Sequence, residues 1–101
     1  MKQVEWPQDR EEIDDPEREN ELLRELRRET GDPNPNHPLN GKNCRVIGWR
    51  RTTGKDFVLH LPDEGRFAFV HLTWHRETNA GYPYCEILED VETLNESLRD
   101  D

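Results

Sequence analysis

Arg66-Phe67-Ala68-Phe69-Val70-His71-Leu72-Thr73-Trp74 is the most apolar run in the chain, and its reading decides the fold class. Aromatic and β-branched residues in a run of this length read as a strand. Only 31% of the residues are hydrophobic and 37% are charged, so this run must sit at the centre of whatever core forms. It ends in a histidine and a tryptophan where a plain core strand would end in polar turn residues. The same run therefore carries the first candidate site residues.

Upstream of it, residues 44–51 and 56–61 read as two further strands. Thr52-Thr53-Gly54-Lys55 and Pro62-Asp63-Glu64-Gly65 separate the three, both of a length that suits hairpins. Downstream, Tyr84 to Leu88 offers a short fourth strand. Asp90 is placed to cap a C-terminal helix over about residues 90–98, with Val91, Leu94 and Leu98 on one face.

Near the N-terminus, Asp15-Pro16-Glu17 marks a helix start. Asp15 suits the N-cap, Pro16 the first helical position, and Glu17 and Glu19 the positive end of the helix dipole. The helix runs over about residues 15–30, where Gly31 is expected in the left-handed C-terminal position and Pro33 prevents continuation. Its apolar stripe of Leu22, Leu23 and Leu26 can dock on a sheet but cannot build a bundle. The expected fold is α+β: a polar arm (1–14), an N-terminal helix packed on a small antiparallel meander of three or four strands (about 44–88), a proline-rich linker between them (31–43), and a short C-terminal helix. A chain of 101 residues supports one domain with a small core.

Symmetric hairpins would place Trp49 opposite Val58 and Val58 opposite Phe69, with Ile47, His60 and Phe67 in the next row and Arg51, Asp56 and His71 in the row on the other side. Val46, Phe57, Leu59, Leu61, Ala68, Val70, Leu72 and Trp74 would then form an aliphatic face, the expected seat of the helix. The aromatic face, with its two histidines, would remain a partly open recognition surface. A slip of one residue would exchange the faces of the slipped strand.

The net charge of −9 is unevenly spread. Residues 1–30 carry six basic and eleven acidic side chains, residues 31–76 seven and four, and residues 77–101 one and eight. A basic middle between acidic flanks disfavours nucleic acid and anionic membranes and favours a basic protein partner. No run approaches the length of a membrane-spanning helix. The first residues lack the apolar stretch of a signal peptide, so a cytoplasmic location with Cys44 and Cys85 as free thiols is expected.

Four histidines and two cysteines raise the question of a metal site, but none has the close paired spacing of a zinc module. His71 and His75, four residues apart, would be too far apart along a strand to chelate one ion unless the chain bends. No metal or cofactor is expected. Cys44 begins a strand and reads as a small core residue, and nothing fixes a base beside Cys85. Two functional readings stay open. In the first, a binding protein uses Trp49, His60, Phe69, His71, His75, Glu86, Glu89 and Asp90 against a protein partner, because aromatic anchors with a charged surround are usual at interfaces. In the second, a small enzyme or enzyme subunit uses His71 with a carboxylate, Asp56 or Glu77.

His37-Pro38-Leu39-Asn40-Gly41-Lys42, followed by Ile47-Gly48, Val58-Leu59 and Val70-His71-Leu72-Thr73-Trp74, resembles small, largely uncharacterised bacterial proteins with an HPL-x-G element and a VHLTW element. The resemblance covers about residues 37–80, and the acidic N-terminal helix is not part of it. It implies a cytosolic single domain. By analogy with other small bacterial proteins, it implies an immunity or accessory partner of a bacterial toxin. It transfers no chemistry to particular residues. From the residues themselves, Leu39 can anchor the linker and Gly41 permits a turn before the first expected strand.

Overall fold

The computed structural model describes residues 4–31, 34–50, 54, 56–73 and 84–100. Their order is β1 (Arg10–Glu12), α1 (Pro16–Thr30), β2 (Arg45–Arg50), β3 (Asp56–Leu61), β4 (Arg66–His71), β5 (Tyr84–Leu88) and α2 (Val91–Asp100). The strands form one antiparallel sheet in sequential order. The fold is α+β, with five strands where three or four were expected. The extra strand is β1, which comes from the segment read as a polar arm and pairs Arg10 with Arg50, Glu11 with Trp49 and Glu12 with Gly48. Three charged residues carry no hydrophobic periodicity. Backbone pairing holds them at an edge, where charge is tolerated and discourages further pairing.

The two helices cover opposite faces of the sheet. On the first face, Leu22 and Leu26 of α1 pack with Leu39, Cys44, Val46, Phe57, Leu59, Leu61, Ala68, Val70 and Leu72. This is the aliphatic face expected to seat the helix. On the second, Leu94 and Leu98 of α2 pack with Val58 and Leu88, and Val4, Trp6, Ile47, Phe67 and Phe69 lie against them. The aromatic face is thus mostly covered, contrary to its reading as a recognition surface. Its own apolar side chains drive this, because together with Leu94 and Leu98 they bury more apolar area than solvent contact would allow.

The β3–β4 register matches the symmetric hairpin: Val58 faces Phe69, His60 faces Phe67 and Asp56 faces His71. Glycine at φ 65° (Gly65) closes the four-residue turn, and Glu64 N–H donates to Leu61 O at 3.1 Å. The β2–β3 register does not match. A bulge between Val46 and Gly48 sets Gly48 opposite Val58, Trp49 opposite Phe57 and Arg45 opposite His60. One extra residue on β2 moves Trp49 from the aromatic face to the α1 face, as a register shift of one must. The vacated place is taken by Trp6, whose ring lies so close over Gly48 that a Cβ there would collide with it.

Both helices begin as their sequences dictate. Asp15 accepts from Glu17 N–H at 3.0 Å with Pro16 in the first turn, and Asp90 Oδ1 accepts from both Thr93 N–H and Thr93 Oγ1, each at 2.8 Å. The end of α1 differs from expectation. Gly31 has φ −85°, not left-handed, and is needed because a Cβ would collide with Arg27 O. The terminal carbonyls are capped by side chains of the following loop instead. Asn34 Nδ2 donates to Glu29 O at 3.1 Å, and Asn40 Nδ2 donates to Thr30 O and Gly31 O at 2.8 and 3.0 Å. The HPL-x-G element is therefore structural: Leu39 is buried, Asn40 caps α1, and His37 Nδ1 accepts from Leu39 N–H at 3.0 Å.

Candidate functional site

Among the described residues, α2 and the N-terminal segment leave one corner of the aromatic face uncovered, at the ends of β3, β4 and β5 that carry Asp56, His71 and Tyr84. Alternation along the strands brings Asp56, His71, Tyr84, Phe69 and Glu86 to this corner, since Asp56 faces His71, His71 faces Tyr84 and Phe69 faces Glu86. Arg10 and Arg50 reach in from the β1 side, and together these groups line a cavity of about 170 Å³. The Arg10 guanidinium lies over the Phe69 ring, 5.0 Å from its centroid, a cation–π contact that explains how an arginine becomes buried here. Arg50 Nε also stands 3.4 Å from Asp9 Oδ2.

His71 Nδ1 and Asp56 Oδ1 are 2.8 Å apart. The carboxylate orients the ring through Nδ1. The pair is open to water, with the histidine side chain 46% and the aspartate 27% exposed. Tyr84 is 62% exposed, the large hydrophobic side chain left outside both cores among the described residues. Glu86 is exposed on the same strand, which pairs with β4 alone among the described strands.

The remaining candidates are dispersed. Trp49 is half-buried on the opposite face, with the Arg18 guanidinium 5.4 Å from its ring centroid and its Nε1–H donating to Glu11 Oε2 at 3.3 Å. His60 stacks on Phe67 with centroids 4.9 Å apart, at the other end of the aromatic face from His71. Glu89 is exposed and lies 3.9 Å from Arg66 Nη2, while Asp90 is occupied as the α2 cap. Arg51, Trp74, His75, Glu77 and Tyr82 lie outside the described residues.

No group of three or more potential metal ligands occurs among the described residues. Cys44 and Cys85 are free thiols, and burial pushes both above the ordinary thiol value, which favours the unreactive protonated form. No helix among the described residues is long and apolar enough to cross a membrane. Sequence reasoning brought together Asp56 and His71 through the hairpin register but missed Arg10, which reads as a solvated charge in a polar segment and is buried only because β1 exists. No protein-family model, curated protein or solved structure matches the chain.

Proposed function

We propose that the chain is an acidic cytoplasmic binding protein that neutralises or regulates a basic protein partner, in the manner of an immunity protein of a bacterial toxin. The observation that carries this reading is Tyr84, 62% exposed on an outer strand beside Glu86. An exposed aromatic ringed by polar groups is a typical interface anchor. Glu89, Glu92 and Glu96 continue the acidic surface from β5 onto α2, which would steer a basic partner toward the anchor. A net charge of −9 acts in the same direction. The test is affinity purification with the wild-type chain, Tyr84→Ala and Glu86→Lys, compared by quantitative mass spectrometry. A basic protein captured by the wild type, eluted by salt and lost from both variants is expected; equal capture by all three refutes the reading.

The 2.8 Å His71–Asp56 contact favours a second reading, a small enzyme or enzyme subunit with His71 as general base. Against it, the pair sits in an open cavity with nothing among the described residues to exclude water. His71→Ala separates the two readings: it abolishes turnover of an enzyme and leaves partner capture nearly unchanged for the binding protein.

A further inference from the structure

A second cavity lies on the other side of the molecule, between the C-terminal half of α1 and the HPL-x-G loop. It encloses about 250 Å³. Its walls are Leu23, Leu26, Leu39 and Cys44, and the charged side chains that line it, Arg27 and Lys42, are both cationic. Two cations framing an apolar pocket stand out in a chain this acidic. Lys42 is held by Glu64 at 2.7 Å, whereas Arg27 makes no ion pair with a described residue. Gly41, at φ 74°, contributes to the lining.

We propose that this groove binds a short aliphatic carboxylate, with its chain against Leu23, Leu26, Leu39 and Cys44 and its carboxylate at Arg27. The volume, just under the usual range for small-ligand pockets, suits a chain of modest length and not a large ring system. Charge complementarity selects the head group: an alcohol of equal length gains the apolar contact without the ion pair, and an amine meets repulsion from Arg27. The site is separate from the Tyr84 corner, so either proposal can fail without the other.

The test is titration of the full chain with octanoate, octanol, octylamine and hexanoate, followed by amide chemical shifts in ¹H–¹⁵N spectra. Octanoate is expected to give saturable shifts at Leu26, Gly31, Gly41 and Cys44. Hexanoate should bind about fifteenfold more weakly, since it lacks two methylenes and each buried methylene contributes roughly a fourfold factor. Arg27→Glu should weaken octanoate about fivefold or more, the upper end for a solvent-facing ion pair. Arg27→Lys should restore most of that loss, and Arg24→Glu, at an exposed position on α1 outside the groove, should leave binding unchanged. Thermal unfolding confirms that each variant is folded. Octylamine or octanol binding as well as octanoate, octanoate shifts centred elsewhere, or Arg27→Glu binding at the wild-type level each overturns the proposal.

Discussion

Thr73 donates both its backbone N–H and its hydroxyl to a single oxygen, Oε1 of Glu29, at 2.8 and 2.9 Å. The Glu29 side chain is fully buried in the last turn of α1 and Thr73 lies just past β4, so the contact pins the helix end to the end of β4. Asn34 closes on the same residue from the other side through Glu29 O. The loop that follows α1 and the segment that follows β4, far apart in sequence, thus meet at one glutamate.

Glu29→Ala removes an acceptor from two donors in a partly buried setting, and is expected to cost about 2–3 kcal/mol, within the range for stranded polar groups. Glu29→Gln keeps a carbonyl oxygen in the same place and should cost less than half as much. Urea denaturation of the two variants against wild type measures this. Equal losses would mean that charge, not acceptor geometry, matters at this position.

Trp6 and Gly48 form a second long-range pairing that defines the α2 face. Glu5, next to Trp6, is tied to α2 through its N–H to Asn95 Oδ1 at 2.8 Å and its carboxylate to Arg99 Nη1 at 3.1 Å. Gly48→Ala must displace the indole, and is expected to destabilise by about 1–3 kcal/mol, as overpacking does. In a Trp6→Ala background the same substitution should cost almost nothing, since its collision partner is gone. The double-mutant cycle reports this coupling directly. An additive result would show that Trp6 does not occupy the space over Gly48 in solution.

Helix α1 was legible because its start is written in local chemistry: Asp15, Pro16 and the acidic first turn act through backbone groups a few residues away. The β3–β4 pairing was legible for a similar reason, since a four-residue turn ending in glycine fixes the register of the strands it joins. That register is what placed Asp56 beside His71. The bulge in β2 was not legible, because Val46, Ile47 and Gly48 alternate no differently from a regular strand. Its effect was large, sending Trp49 to the other face and admitting Trp6. Nor could β1 be seen, since Arg10, Glu11 and Glu12 owe their strand to a partner 36 or more residues away. With β1 hidden, the burial of Arg10 over Phe69, and so one wall of the candidate site, was hidden as well.

The Glu19–Arg45 pair gives stability a defined pH dependence. Glu19 accepts from Arg45 Nε at 2.7 Å, from Arg45 Nη2 at 3.0 Å and from Val46 N–H at 3.1 Å. The Arg45 hydrogen bond, reinforced by its charge and opposed by burial, holds the carboxyl below the ordinary glutamate value of 4.5. A depressed carboxyl pKa means that the unfolded chain binds the proton more readily. Its contribution is therefore fully present above about pH 4.5 and is lost as pH falls through the lower folded value. Arg45→Ala should be less stable than wild type at neutral pH, with a gap that stays level down to about pH 5 and shrinks below it. Denaturation curves across that range measure the gap; one that is unchanged at acid pH would show that Arg45 acts through packing alone.

Asp90 carries two assignments that one pair of substitutions can separate. As the α2 cap, it accepts from Thr93 N–H and Thr93 Oγ1 through one oxygen. As part of the acidic surface running from Glu86 to Glu96, it would also contribute charge to partner encounter. Asparagine retains a capping oxygen and removes the charge, while alanine removes both. Asp90→Asn should leave stability within about 0.5 kcal/mol of wild type, whereas Asp90→Ala should lose about 1 kcal/mol. Against a basic partner, both variants should slow association and flatten its salt dependence by a similar amount, because both delete the same charge. Stopped-flow association rates at two ionic strengths, with thermal unfolding of each variant, separate the contributions. If Asp90→Asn associates at the wild-type rate and only Asp90→Ala is impaired, Asp90 serves the helix and not the partner, and the steering charge must come from Glu86, Glu89, Glu92 and Glu96 alone.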